Sequence, residues 1–100
     1  MPDEFWGRVL RRKADLVLRE VAGESLLIPI RGSLADLQRI YTLNRVARAV
    51  WAELDGGRTM AEVRERLLER FEVGREQLEG DLREFAAQAV ADGLAEEVPA

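Results

Sequence analysis

The sequence contains no cysteine and no histidine, and its only lysine is Lys13. Without cysteine the chain has no disulfide, no thiol nucleophile and no thiolate ligand for zinc. Histidine and lysine are the side chains used most often as general bases near neutral pH or for Schiff bases. Carboxylates are plentiful, but no stretch has the spacing of a calcium-binding loop. We therefore expect a protein that is not an enzyme and that has neither cofactor nor metal.

Long apolar runs are also missing, since nothing approaches the ~20 residues that a membrane-spanning helix needs. The N-terminus carries Asp3 and Glu4 and has no cleavable apolar segment. The net charge of −4 repels phosphate and makes nucleic acid an unfavourable partner. With 100 residues, 47% of them hydrophobic, the chain can fold around one core. We expect a soluble, cytoplasmic protein that binds neither membrane nor nucleic acid.

The first half of the chain is rich in valine, leucine and isoleucine, which favour β-strands. The pattern predicts three strands, over residues 16–21, 25–31 and 38–43, with a turn around Gly23 between the first two. Pro29 cannot donate to a ladder of backbone hydrogen bonds, so it marks an edge or a bulge of the second strand. The three strands are predicted to form a short antiparallel meander.

From Asn44 onward the apolar residues recur at helical spacing. Asn44 is a suitable N-cap for a first helix. Thr59 and Glu62 form a capping box for a second helix. A third helix is predicted over residues 75–92, and residues 94–98 are predicted as a short closing strand. Three strands followed by three helices predict an α+β fold.

An ordered set of helix-start, turn and large apolar residues runs through the second half of the chain. Its members are Leu43-Asn44, Trp51, Asp55-Gly56, Thr59, Val63 and Asp92-Gly93-Leu94. In this set, over residues 15–97, the chain resembles the PqqD-like family. The namesake of that family is the small peptide chaperone of pyrroloquinoline quinone (PQQ) biosynthesis.

The resemblance implies a winged-helix-like fold with a three-stranded antiparallel sheet followed by three helices. It also implies binding of the leader of a ribosomally made precursor peptide, beside the third strand and against the third helix. The implied second partner is a radical S-adenosylmethionine enzyme or another peptide-modifying enzyme. The connection between Pro29 and Leu43 is longer than the tight turn associated with quinone-pathway members. The broader role in peptide recognition, for PQQ or another modified peptide, is therefore the expectation.

Strand addition is the physical basis of this binding mode, because an edge strand offers unpaired backbone groups to an incoming chain. The third strand has strong strand propensity, and the third helix is expected to supply an apolar wall beside it. Arg39 and Arg83 are expected to pair with acidic groups of the peptide, at ~0–1 kcal/mol each. The predicted contact residues are Arg39, Ile40, Tyr41, Thr42, Leu78, Leu82, Arg83, Phe85 and Ala86. The leucines and Phe85 are equally explained as closed core.

Residues 1–14 are interpreted as an N-terminal arm, and residues 15–98 as a single domain. Within the arm, apolar residues fall at i, i+1, i+4 and i+5, which predicts one or two amphipathic helical turns. They are Phe5, Trp6, Val9 and Leu10. We expect the arm to pack on this domain or on a neighbouring copy, which would make a homodimer; docking to a partner enzyme is the next alternative.

Three other functions compete with peptide binding. A winged-helix regulator that binds DNA is disfavoured because the third helix carries more acidic than basic residues, and such a helix repels phosphates. Glu62, Glu65 and Glu69 share a helical face and resemble a carboxylate site, but Arg66 and Arg70 lie among them, so a solvated, ion-paired face explains them better. A module that self-associates through the same edge strand is the remaining alternative.

Overall fold

The computed structural model describes residues 4–14, 16–29 and 40–99. A 3-10 turn (Glu4–Gly7) precedes the regular elements of this part of the chain. These are β1 (Val9–Arg12), β2 (Leu16–Val21), β3 (Glu24–Pro29), β4 (Tyr41–Leu43), α1 (Arg45–Glu53), β5 (Asp55–Thr59), α2 (Met60–Arg70), α3 (Arg75–Ala91) and β6 (Ala95–Glu97). The predicted α+β class and the order of the three helices are confirmed.

The predicted meander is an antiparallel sheet in the order β2-β3-β4. Leu27 in its central strand lies opposite Leu18 on one side and opposite Tyr41 on the other. Ala22 and Gly23 link β2 to β3 with φ angles of 53° and 84°, the left-handed values that a two-residue hairpin turn requires. The remainder of the predicted second and third strands, residues 30–31 and 38–39, lies outside the described residues.

A second sheet, in the order β5-β1-β6, corrects two expectations. The arm forms a helical turn only at Glu4–Gly7, while Val9–Arg12 is a strand that pairs antiparallel with both neighbours. Asp55-Gly56-Gly57, expected from its residue types to end the first helix, lies in one of those neighbours, β5 (Asp55–Thr59). Gly56 has a φ of 83°, as a helix-ending glycine would, yet it lies within β5. A strand partner that is distant in sequence therefore overrode the local turn signal.

Arg12 ties β1 to the end of α1. Its guanidinium donates hydrogen bonds to the carbonyl oxygens of Trp51 and Ala52, at 3.0 and 2.8 Å, and its backbone N–H donates to the carbonyl of Leu54. The last carbonyls of a helix lack partners within the helix, and a cation there also complements the helix dipole. This bonding explains why a four-residue strand with one buried side chain, Leu10, is held in place.

Glu53 is the charged residue buried at the centre of the helical layer, with 7% of its side chain exposed. It accepts a hydrogen bond from Nε of Arg66 at 2.9 Å, and Arg58 and Arg70 approach its carboxylate at 3.2 and 3.6 Å. The two arginines expected to accompany a surface row of glutamates on α2 are thus turned towards α1. A buried carboxylate with several cationic partners is a structural ion-pair cluster.

The glutamates of α2 have structural roles as well. Glu62 completes the capping box with Thr59, and the hydrogen bonds of Thr59 lower the pKa of the Glu62 carboxyl. Glu65 accepts a hydrogen bond of 2.8 Å from Arg75, which links α2 to α3, and another of 2.7 Å from Arg64 within α2. The Arg75 bond, followed by that of Arg64, lowers the pKa of Glu65 from 4.5 to about 2.

The low pKa of Glu65 predicts a specific acid sensitivity. Because folding lowers this pKa, the stabilisation is complete above about pH 4.5 and is lost as the pH falls towards about 2. The melting temperature of the wild type should therefore drop more steeply with acidification in this range than that of Glu65→Gln. Circular dichroism melts across the range measure this difference. Glu69→Gln, which removes an exposed glutamate of the same helix, should keep the wild-type pH dependence; equal slopes for wild type and Glu65→Gln would contradict the prediction.

The core lies between the three helices and the inner faces of both sheets. Each helix, and each strand except β2 and β5, supplies at least one buried side chain. The largest are Leu27, Val50, Leu54, Met60, Val63, Leu67, Leu78 and Leu82. β4 leads directly into α1, and α1 and α3 both contribute side chains to this core.

Candidate functional site

The strand β4 has one free edge within the described part of the chain. It pairs with β3 on one side, and no other described strand lies on its second side. Leu43 is buried and Tyr41 packs against the core, whereas Thr42 and the preceding Ile40 are exposed, Ile40 by 60%. Residue 39, an arginine predicted to belong to the site, lies outside the described residues. An extended chain alongside β4 would meet the exposed side chains of Ile40 and Thr42.

A groove of about 340 Å³ begins at Asn44, the residue that follows β4, and runs between α1 and α3. Its lining combines apolar and polar side chains of both helices. They are Asn44, Val46, Ala47 and Val50 from the first helix and its cap, and Asp81, Glu84, Phe85 and Gln88 from the other. The groove therefore adjoins the end of β4 at Asn44, and it has an apolar interior and a polar rim.

The beginning of the groove is fixed by a helix cap. The side-chain oxygen of Asn44 accepts a hydrogen bond of 2.8 Å from the backbone N–H of Ala47, as the sequence predicted for an N-cap. This bond uses the side-chain oxygen and leaves the amide N–H groups of Asn44 available as donors. Val46 and Ala47 follow at once, so the cap also determines which residues of α1 line the groove.

The residues predicted on the third helix do not form one wall. Leu78 and Leu82 expose none of their surface and Ala86 exposes 3%, so all three belong to the core. They lie four residues apart and form one stripe of α3, which packs inward. Phe85, which precedes Ala86 in the sequence, lies off this stripe. It is half-buried and lines the groove. In this conformation a bound peptide would contact Phe85 and cannot reach the two leucines.

Arg83 lies on a different face of α3 from Phe85. Its guanidinium stacks on the rings of Phe5 and Trp6, 5.0 and 5.1 Å from their centroids. Together with Phe5 and the exposed Val90, it lines a second cavity of about 700 Å³ beside β6. Arg83, predicted to meet acidic groups of a peptide, therefore lines this second cavity and is not part of the groove between α1 and α3.

Sequence reasoning had not assigned Val46, Ala47 and Val50 to the site, although they are among the apolar residues that recur at helical spacing after Asn44. Such spacing identifies the apolar face of a helix, but it does not reveal how much of that face a neighbour covers. Val50 exposes only 2% of its surface, while Val46 and Ala47 are partly exposed to the groove. The acidic rim of Asp81 and Glu84 was visible in the sequence as part of the acidic third helix.

Within residues 4–14, 16–29 and 40–99, no group of three or more acidic side chains is arranged to hold a metal ion. No helix in the same ranges is both long enough and apolar enough to cross a membrane. What the described surface offers is a strand edge that leads into a groove, an arrangement suited to an extended polypeptide.

The family model for coenzyme PQQ synthesis protein D (PqqD) matches residues 15–95. The chain belongs to the PqqD family. The match contains the sheet β2-β3-β4 and all three helices, so both walls of the groove and the β4 edge lie in the PqqD part of the chain. The resemblance inferred from the sequence is confirmed, whereas β1 precedes the matched residues.

The fold of this PqqD-family protein is also that of a solved structure, TbiB1 in complex with the TbiA(beta) leader peptide. The two share 21% sequence identity with a TM-score of 0.67, over 86% of this chain and 94% of the other. At this level of identity the likeness establishes the fold. No curated protein sequence matches the chain significantly.

Proposed function

We propose that this PqqD-family protein binds the leader of a ribosomally synthesised precursor peptide. In this proposal the leader extends the sheet along the free edge of β4 and continues into the groove between α1 and α3. The observation that carries the proposal is the continuity of these two features at Asn44, where β4 ends and the groove begins. A single extended peptide can occupy both.

The physical contributions of the two parts differ. Backbone hydrogen bonds to an edge strand supply affinity with little dependence on the peptide sequence, whereas side-chain pockets supply selectivity. Ile40 and Thr42 on β4 would contact the peptide beside the ladder, and Phe85 and Val46 would enclose one of its apolar side chains. The fold shared with TbiB1, which was solved with a leader peptide, supports the same use of the PqqD architecture.

We further propose that the protein is a non-catalytic, cytoplasmic adaptor. It would present the bound precursor to a radical S-adenosylmethionine enzyme or to another enzyme that modifies peptides, in PQQ or other modified-peptide biosynthesis. Membership of the PqqD family supports this assignment. The carboxylates Asp81 and Glu84 in the groove disfavour nucleic acid as the ligand, since they repel phosphates.

Backbone amide shifts test the proposed site directly. A synthetic leader from a precursor encoded beside the gene should perturb the amides of residues 40–43 and of the groove residues Val46, Ala47 and Phe85. Strand addition should also protect amides of β4 from hydrogen exchange, because a new partner satisfies them. The cavity beside β6, lined by Val90, is the internal control and should show little change. Shifts confined to that cavity, or none anywhere at saturating peptide, would exclude the site.

A further inference from the structure

The groove between α1 and α3 has charges of one sign. Asp81 and Glu84 are its charged lining residues, and no described cation is part of the lining. The arginines on these two helices that lie nearest in sequence are engaged elsewhere. Arg45 stacks on Phe71 at 5.1 Å, Arg48 pairs with Glu20, and Arg83 stacks on Trp6.

Neither carboxylate of the groove is neutralised within the described part of the chain. Asp81 accepts a hydrogen bond of 3.0 Å from Gln77, which is a neutral amide. Glu84 is exposed and has no hydrogen bond or ion pair to any described residue. This contrasts with Glu53, Glu65 and Glu96, each of which is paired with at least one arginine. Two uncompensated negative charges therefore lie beside the apolar side chains of Phe85 and Val46.

We infer that the peptide bound in this groove carries a lysine or arginine close to an apolar anchor residue. This inference rests on the proposed function and names its ligand class. The apolar anchor would fill the space between Val46, Ala47 and Phe85, and the neighbouring cation would approach Asp81 and Glu84. This proposal differs from the expectation that Arg39 and Arg83 pair with acidic groups of the peptide. Arg83 lies on another face of α3, and residue 39 lies outside the described residues.

Charge complementarity of this kind selects between peptides more than it strengthens binding. Exposed ion pairs contribute little each, but a like charge placed against the same rim is repelled, so the two effects separate basic from acidic peptides. The charges should also speed association with a basic peptide at low ionic strength and lose this effect as salt screens them. In a groove without charges, binding would not depend on the charge of the peptide, and association would not depend on salt.

A selection from random peptides tests the inference and does not require the natural precursor. The whole chain is used to enrich a display library of random peptides, in parallel with the double variant Asp81→Asn/Glu84→Gln. We expect the wild type to enrich peptides with lysine or arginine near an apolar residue, and the variant to enrich apolar peptides without the basic bias. Enriched peptides that are neutral or acidic would overturn the inference and leave the proposed function intact. No enrichment for either protein would overturn the proposed function itself.

Affinity measurements on one enriched basic peptide complete the test. Each carboxylate should contribute about two- to fivefold, so the double variant should bind about tenfold more weakly in low salt. Glu69→Gln/Glu76→Gln makes the same change in net charge outside the groove and should bind like the wild type. Replacing the basic residue of the peptide by glutamine should lower its affinity for the wild type and have no effect on binding to the groove variant. Equal losses in both double variants would show that only net charge matters and would overturn the inference.

Discussion

Replacing Leu82 by alanine should lower the free energy of unfolding by about 2–5 kcal/mol. Leu82 exposes none of its surface and belongs to the central cluster that also contains Leu78 and Val63. Truncation removes the transfer free energy of the lost methyl and methylene groups and leaves a cavity that the neighbours fill only in part. Domains of this size are stable by about 5–15 kcal/mol, so the loss is a large fraction of the total.

Urea unfolding followed by circular dichroism measures this effect. Val90→Ala is the matched control, because Val90 is on the same helix and 44% exposed, and it should change the stability by less than about 0.5 kcal/mol. An unchanged unfolding midpoint for Leu82→Ala would show that this side chain is not part of the core. A charged substitution such as Leu82→Glu should prevent folding, since the carboxylate would be buried without a partner. Weak peptide binding by that variant would therefore report unfolding and not a lost contact.

The parts of the fold that were predicted correctly are those with local signals. Asn44 begins α1 because its side chain bonds to a backbone N–H only three residues away, and Thr59 and Glu62 begin α2 through reciprocal bonds over the same distance. The β2–β3 hairpin likewise needs only the turn residues between two apolar runs. Such features are encoded within a few residues, so they can be recognised without knowing the rest of the structure.

The second sheet is encoded by partners that lie far apart in the chain. Leu10 pairs with Glu97, and Val9 pairs with Thr59, so no local window contains both members of either pair. β1 and β5 have four and five residues, which is too short for alternation to be distinguished from a helical turn, whereas the closing strand β6 was predicted. The bonds from Arg12 to the end of α1 add a tertiary contact that no periodicity shows.

Only part of the candidate site was predicted, and the reason is related. The third helix is apolar over a wide arc, and spacing alone cannot divide that arc into the part that packs inward and the part that remains accessible. Contacts with the rest of the domain make this division: they bury Leu78 and Leu82 and leave Phe85 at the groove. Similarly, the aromatic rings of Phe5 and Trp6 determine where Arg83 lies. The sequence therefore predicted the helix and the types of residue on it, whereas tertiary packing determined which face of the helix is buried.

The sharpest test of the groove as a peptide site is Phe85→Ala, which should weaken leader binding at least about tenfold. Phe85 is the aromatic side chain in the groove lining, and buried aromatic residues at the centre of an interface commonly dominate its binding energy. Its removal deletes the apolar wall that faces Val46 and Ala47, so a bound apolar side chain would lose contact on one side. The charges of Asp81 and Glu84 and the edge of β4 remain unchanged.

Calorimetric titration with a peptide enriched by the wild-type protein gives the affinity, and circular dichroism verifies that the variant is folded at the titration temperature. Phe85 also packs against the core, so a loss of stability is expected, and Phe85→Leu separates the two effects. Leucine restores much of the apolar surface and should recover most of the affinity. Val90→Ala, on the same helix but in the other cavity, should bind like the wild type. If folded Phe85→Ala retained full affinity while Val90→Ala lost it, the peptide would occupy the cavity beside β6, and the edge of β4 would no longer explain recognition.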